Sequence, residues 1–336
     1  MAKQVVVLGT AHNHVLSMAK SVADAQGCEL VGVWDEDPAR VAAAKERLNV
    51  PALESLEAAW KLKPALVLIG AVPTNRARLA RQAIENGAAV LVDKPLALNH
   101  VELDKTIEAQ GRFRKPIITY YPYRGHPDVL AAKALLASGA IGKLVRLLST
   151  GPHKLTPRKR PDWHWTRAGN GGCIVDIGSH GTDLCCWLAD ASPDYISGVH
   201  SNMYQPDHPE FQDYAQASLR FPGGAIAHVE ADWFTNEALK SFGDGHLWIQ
   251  GTTGKIEIYH GEETTALVWT AEKNAQPLDY SGYPDVKKWT ATLIGDLANG
   301  RDCGIRQDEI WRASRVTLYA LDSALAGGKA FTSPRY

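Results

Sequence analysis

Between residues 4 and 120 the chain repeats one pattern, a short run of apolar, β-compatible residues followed by a longer amphipathic stretch. Strand-like runs fall at 4–8, 29–34, 65–70, 89–92 and 116–120. Helix-like stretches lie between them, ending near 26, at 38–48, at 75–86 and opening at 99. Apolar runs without alternation suit strands buried on both faces, and helices joining them force parallel pairing. The expected fold is therefore a doubly wound parallel α/β sheet. Helix starts agree: Asp37 stands as an N-cap before Pro38, and Asn99 with Glu102 forms a cap pair.

In such a sheet, ligands collect where strands leave at their carboxyl ends. The first turn reads Gly9-Thr10-Ala11-His12-Asn13-His14, a dinucleotide-binding fingerprint with two of three glycines replaced. Gly9 keeps the tight turn, Ala11 is small enough for a phosphate to approach, and His14 stands where the helix packs on the strand. The second strand ends in Asp35, an acceptor suited to the adenosine ribose hydroxyls. With Glu36 and Asp37 beside it and no basic residue until Arg40, a 2′-phosphate would meet repulsion. The expected cofactor is NAD rather than NADP. Thr10, His12 and Asn13 in the turn, with Val72, Pro73 and Asn75 after the third strand, complete this cofactor rim. His12 and His14 lack a neighbouring cysteine or carboxylate in sequence, so no metal is expected, and their rings are assigned to the pyrophosphate or the substrate edge.

The fourth strand runs straight into Asp93-Lys94-Pro95. Proline donates no backbone hydrogen bond and restricts its predecessor, so Lys94 is held extended at the crevice beside Asp93. There it suits proton transfer or charge stabilisation, and Asp93 and Lys94 join the cofactor rim. The plain alternative for the tripeptide alone is a surface lysine ending a strand.

A length of 336 residues suggests two domains. Lys and Arg number 36 against 37 Asp and Glu, a net charge of -1 that offers no basic field to nucleic acid or anionic membrane. A small molecule is the expected partner. Five cysteines without metal spacing read as reduced thiols, and with no signal peptide or membrane-length apolar run this predicts a cytoplasmic protein.

Beyond residue 120 the pattern changes. A helix is expected at 127–138, stopped by Gly139, then a strand at 143–149 and a long loop at 151–169 rich in Pro, Arg, His and Trp. Loops of this length are commonly functional, and indoles mixed with cations suit polyhydroxylated or anionic ligands; a subunit contact would explain them as well. Tyr123, Arg124, His153, Arg160, Trp163 and Trp165 are the candidate substrate contacts, with Asp176 and His180. In the helical stretch that follows, Asp176, His180 and Asp183 fall at i, i+4 and i+7 and would share a face. A carboxylate one turn from an imidazole can orient it as a general base; a buried, satisfied polar pair is the alternative. From 194 onward six or more strand-like runs predict a largely antiparallel sheet.

Asp93-Lys94-Pro95, and Gly171-Gly172 leading to Asp176-x-Gly178-x-His180, resemble the Glu-Lys-Pro and Gly-Gly-x-x-x-Asp-x-Gly-x-His motifs of the Gfo/Idh/MocA oxidoreductase family. The resemblance covers nearly the whole chain. It implies an N-terminal NAD(P)-binding Rossmann domain, here 1–120, and a C-terminal substrate-binding and oligomerisation α+β domain, here 121–336. The latter's large, mostly antiparallel open sheet would build a homodimer or homotetramer. By position, Lys94 and His180 would transfer protons and Asp176 would position substrate. Departures are the lost glycines, Asp93 for the usual Glu, and Ala77 where a histidine often follows Pro73. The implied reaction is NAD-dependent oxidation of a secondary alcohol on a sugar, cyclitol or related polyol. A redox-neutral NAD-dependent glycosidase or epimerase would use the same residues, and a non-catalytic dinucleotide-linked regulator would not need them.

Overall fold

The computed structural model describes residues 1–156 and 160–332, which divide into two compact units. The first comprises Met1–Pro122 with Asp285–Trp311, and the second Tyr123–Pro284 with the remaining carboxy-terminal residues.

In the first unit, strands β1 (Lys3–Thr10), β2 (Cys28–Trp34), β3 (Leu66–Gly70), β4 (Ala89–Asp93) and β5 (Ile117–Tyr120) form one sheet. All pairs are parallel, in the order β2-β1-β3-β4-β5. Helices α1 (Asn13–Ser21), α2 (Pro38–Leu48), α3 (Leu56–Lys61), α4 (Pro73–Glu85) and α5 (His100–Phe113) make the crossovers. Asp37 and Asn99 cap α2 and α5 as expected, accepting from the amides of Ala39 and Glu102. Val5 to Leu8, Leu66 to Ile69 and Val90 to Val92 are fully buried, so the uninterrupted apolar runs do mark strands covered on both faces. Leu8 pairs with Ile69, Ile69 with Val92, and Val92 with Thr119. Four strand ends therefore emerge along one edge, and the chain reverses direction of winding between β1 and β3. Such a switch point opens a ligand crevice.

The expected division at residue 120 omits one segment of this unit. Helix α10 (Val286–Asn299) packs on α1, with Asn299 bonded to the Gln26 carbonyl and Lys287 paired to Asp24. Gln307 opens helix α11 (Gln307–Leu325), and its side-chain amide bonds both the N–H and the C=O of Ile117. It thus pairs the free edge of β5, where an unpaired strand would invite association. No local sequence signal announces that return.

The second unit opens with α6 (Pro127–Ser138), β6 (Leu144–Pro152) and three helices, α7 (Arg167–Asn170), α8 (Cys173–Asp176) and α9 (Gly178–Ala189). Strands β7 (Tyr195–Ser201), β8 (Tyr214–Arg220), β9 (Ile226–Asp232), β10 (Gly245–Gly251), β11 (Lys255–His260), β12 (Thr264–Trp269) and β13 (Gln276–Pro277) follow. The eight-stranded sheet runs β13-β12-β11-β10-β6-β9-β8-β7, antiparallel except for the β6–β9 pair. Burial alternates along β8 to β11: Ala217, Val229, Ile249 and Ile256 lie on the covered face. Helix α9 lies against β6 and β9, and Gly181 lets it come close, because a Cβ there would stand 2.7 Å from Val229. Among the described residues no helix is long and apolar enough to cross a membrane. Cys173, Cys185 and Cys186 are buried free thiols, while Cys28 and Cys303 are half-exposed ones.

Candidate active site

In the first unit the site is built around the exit of β4. Asp93 is fully buried and takes His12 Nδ1 at 2.8 Å, His14 Nδ1 at 2.9 Å and Arg76 Nη2 at 3.3 Å. Burial alone would raise its carboxyl, but His12, Arg76 and His14 outweigh that and hold it well below the usual carboxylate range. Folding thus supplies the carboxylate that the sequence around His12 and His14 lacks. The same groups could hold a metal ion by proximity alone, yet the Arg76 guanidinium already occupies the cationic position.

Arg76 is the residue that sequence reasoning missed. Buried in the first turns of α4, it donates Nε to the Ala71 carbonyl at 2.8 Å and Nη1 to the carbonyls of Asp93 at 3.2 Å and of Lys94. One guanidinium therefore ties the exit of β3 to both residues of the Asp93-Lys94 step. Lys94 is buried, and its carbonyl is held by Arg76. The available signal was an arginine three residues after Pro73, inside an otherwise apolar helix face.

The fingerprint turn carries its one retained glycine where it matters. Gly9 has φ +77°, and a Cβ there would lie 2.3 Å from Ala71 Cα, so only glycine lets β1 and the β3 exit close up. Ala11 N–H bonds the Gly70 carbonyl at 2.9 Å, and His12 stands at the N-cap of α1. Asn13 begins α1. Val72 and Pro73 start α4, and Asn75 bonds Glu36 at 2.9 Å.

Asp35 is more engaged than expected. Its carboxylate accepts from the Thr10 amide at 2.6 Å, the Asp37 amide at 2.9 Å, and Arg40 Nε and Nη2 at 3.0 and 2.7 Å. Burial opposes ionisation, but these donors prevail and lower its pKa. Arg40 also reaches Asp37 at 3.1 Å, and Arg78 pairs with Glu36 at 2.7 Å. The expected repulsion of a 2′-phosphate is thereby reduced: three carboxylates against two guanidiniums leave one net negative charge.

In the second unit, His180 sits in the first turn of α9, largely buried, its ring edge-on to Tyr123 at 5.1 Å and roughly parallel to His153 at 6.5 Å. Three expected site residues thus come together. The helical stretch expected to carry Asp176, His180 and Asp183 is divided at Ile177, whose backbone is itself helical, so Asp176 ends α8 and His180 lies in the first turn of α9. Asp183 does not join them. Its fully buried carboxylate takes Arg124 Nε at 2.8 Å and Nη2 at 2.7 Å. Arg124, expected at the substrate, is committed to that pair and lies over the Trp187 ring.

Arg160 stacks over Trp233 at 4.5 Å and donates to the carbonyls of Leu155 and Lys154. Burial lowers its pKa, and the nearby Asp176 carboxylate opposes the drop. Trp165 stacks on His208 at 4.0 Å and meets Phe211 at 5.1 Å, while Trp163 meets the His164 ring at 6.0 Å. Trp233, which sequence reasoning did not select as a site residue, links these groups, lying 6.0 Å from His153 and 5.1 Å from His164. The aromatic loop expected at 151–169 also spans 157–159, outside the described residues.

Comparisons with known proteins follow this geometry. Residues 3–118 match an oxidoreductase family model described as an NAD-binding Rossmann fold, and residues 129–257 match a GFO/IDH/MocA C-terminal domain. A D-xylose 1-dehydrogenase [NADP(+)] of Haloarcula marismortui is 27% identical over 59% of this chain and 55% of its own length. Inositol 2-dehydrogenase 2 of Saccharopolyspora erythraea is 24% identical over 67% of this chain and 63% of its own. The match thus spans little more than half of these relatives. A levoglucosan dehydrogenase structure in complex with NADH superimposes with a TM-score of 0.86, covering 100% of both chains at 18% identity, which shows a common fold.

Proposed function

Because the chain belongs to the Gfo/Idh/MocA oxidoreductase family, with an NAD-binding Rossmann domain, we propose that it is an NAD-dependent dehydrogenase oxidising a secondary alcohol of a sugar, cyclitol or related polyol. The observation that carries this reading is Lys94, buried at the carboxyl end of β4 and fixed by the Arg76 bonds to its own and the preceding carbonyl. A charged amine buried at a switch-point crevice has a chemical use and a desolvation cost, so a purely structural role is a poor account of it. The xylose and inositol dehydrogenases among the relatives support the polyol class.

Bound NAD⁺ supplies the hydride acceptor. His180 takes the hydroxyl proton, Lys94 stabilises the developing alkoxide, and Asp176 positions the substrate. Gly9, Thr10 and Ala11 line the pyrophosphate turn. His153, Arg160 and Tyr123 are the substrate contacts we retain, with Trp163 and Trp165 outside them. The remaining negative charge around Asp35 favours NAD over NADP, and a lower KM for NADP would reverse that assignment.

The test is reduced-nicotinamide absorbance with purified protein, NAD⁺ and a panel of sugars, inositols and sugar acids. Lys94→Ala should bind NAD as before and lose turnover, and His180→Ala should slow oxidation by roughly 10²–10⁴-fold, the range for a lost general base. Undiminished turnover in Lys94→Ala would overturn the mechanism. Silence of the wild-type protein across the panel, with NAD bound, would move the assignment to a redox-neutral enzyme or a non-catalytic regulator.

A further inference from the structure

A second cluster of ligand-type side chains lies in the second unit, outside the residues given catalytic roles above. His126 stands at the N-cap of α6, Asp128 is that helix's second residue, and His260 ends β11. His260 Nε2 lies 2.7 Å from Asp128 Oδ2, and the two imidazole centroids are 4.5 Å apart. One ligand atom from each residue falls within 4.8 Å of the other two. Asp128 is buried, while both histidines are partly accessible.

We propose that His126, Asp128 and His260 form a site for a borderline divalent cation of the zinc class. Two neutral imidazoles and one carboxylate are a donor set typical of open, four-coordinate zinc sites, in which the fourth position is a solvent or substrate oxygen. The electrostatics are permissive. Burial and the neighbouring His260 push the His126 pKa down, and Asp128 opposes the drop. Asp128 remains ionised: burial opposes that, but His260 and His126 lower its pKa.

Binding requires the donors to shift: the other pairs, within 4.8 Å of one another, must close as the shortest one opens. Bonds of about 2.1 Å in a tetrahedron put neighbouring donor atoms about 3.4 Å apart, so the 2.7 Å contact must open by roughly 0.7 Å. The proton on His260 Nε2 would move to Nδ1 as the cation takes its place, leaving the ring neutral. Asp128 keeps its second oxygen on the Val129 amide at 2.8 Å, which orients the carboxylate as an outer partner orients a ligand. Of the three groups, His260 also borders a small cavity on the side of His180. This cavity of about 20 Å³, enough for a single water, is lined by His260, His246, Tyr123 and His180. Tyr123 stacks on both imidazoles of the cluster, at 5.4 and 6.1 Å. A plain hydrogen bond joining α6 to β11 would explain the His260–Asp128 pair. It does not account for His126, whose ring faces the pair and makes no hydrogen bond to a described residue.

The experiment is titration of the chelator-stripped full chain with CoCl₂, followed in the visible ligand-field bands, and then displacement by Zn²⁺. We expect one Co²⁺ per chain with tetrahedral-type absorption. His126→Gln and Asp128→Asn should each weaken binding by more than about 100-fold, beyond what loss of a supporting group causes, in protein whose circular dichroism and melting remain cooperative. His12→Ala should bind Co²⁺ as the wild type does. No ligand-field band in the wild type would overturn the proposal. So would a band that survives both His126→Gln and Asp128→Asn, or one lost in His12→Ala, which would move the cation to Asp93.

Discussion

Asp93 and Asp128 each lie between two histidines, one in each unit, and their surroundings differ in one respect. At Asp93 the chain supplies its own cation: Arg76 is in contact at 3.3 Å and anchors itself on three backbone carbonyls. At Asp128 there is His260 at 2.7 Å and a facing His126. A buried carboxylate with a fixed guanidinium is a finished structural unit, while the same carboxylate with only imidazoles keeps room for an ion. That difference explains why proximity of ligand atoms alone is a poor guide to metal sites. It also separates the jobs of the two clusters, since the first fixes the Asp93-Lys94 step and the second ties a helix start to a strand end.

The largest effect expected from this contrast is on stability. Arg76→Leu would leave the buried Asp93 with only His12 and His14 beside it and would strip three carbonyls of this donor, at a cost of about 3–5 kcal/mol. Asp128→Asn keeps the shape and a weaker hydrogen bond to His260, so it should cost only about 1–2 kcal/mol in metal-free protein. Urea unfolding of the two variants, with chelator present, makes the comparison. If Asp128→Asn is the more damaging of the two, the contrast drawn here is wrong.

A sharper form of the comparison concerns function rather than stability. Arg76→Lys keeps a positive charge beside Asp93 but cannot reach three carbonyls at once, since a lysine lacks the planar fork. We expect this variant to stay folded, to bind NAD, and to lose turnover by about 10-fold or more through a displaced Lys94. Turnover equal to the wild type would mean that Lys94 is held by Pro95 and the sheet alone.

What could be read from the chain divides along the same line. The parallel sheet was legible because strands buried on both faces carry their signal locally, as in Val5 to Leu8 and Val90 to Val92. The caps at Asp37 and Asn99 were legible for the same reason. Arg76, His126 and His260 were not. Each acts on a partner distant in sequence, 17 residues for Arg76–Asp93 and 132 for His260–Asp128, and nothing in local periodicity records such pairs. The stretch carrying Asp176, His180 and Asp183 is divided at Ile177 into α8 and α9, a division that spacing alone does not announce. Asp183 then serves Arg124. The return of 285–311 to the first unit was hidden too, because Gln307 completes β5 through an ordinary side-chain amide.

The smallest effect tests how the first cluster responds to acid. Burial, helped by His14 and Lys94, lowers the His12 pKa more than Asp93 raises it, so the folded protein prefers the neutral ring. The unfolded chain takes up that proton first, near pH 6.5, and stability is lost as pH falls below that value. Asp93 is depressed as well, so its contribution is complete above its unfolded value of 3.8 and disappears as pH falls further. Both groups therefore weaken the fold in acid, in successive windows. His12→Asn, which keeps a hydrogen-bond donor near Asp93, should flatten the upper window and leave the lower one. The His12 side chain is 28% exposed, so solvent screening keeps the change to on the order of 1 kcal/mol, a shift of about 2–4 °C in Tm across pH 6.5 to 4.5. An upper window as steep in His12→Asn as in the wild type would show that the acid response arises elsewhere, and that Arg76 alone balances Asp93.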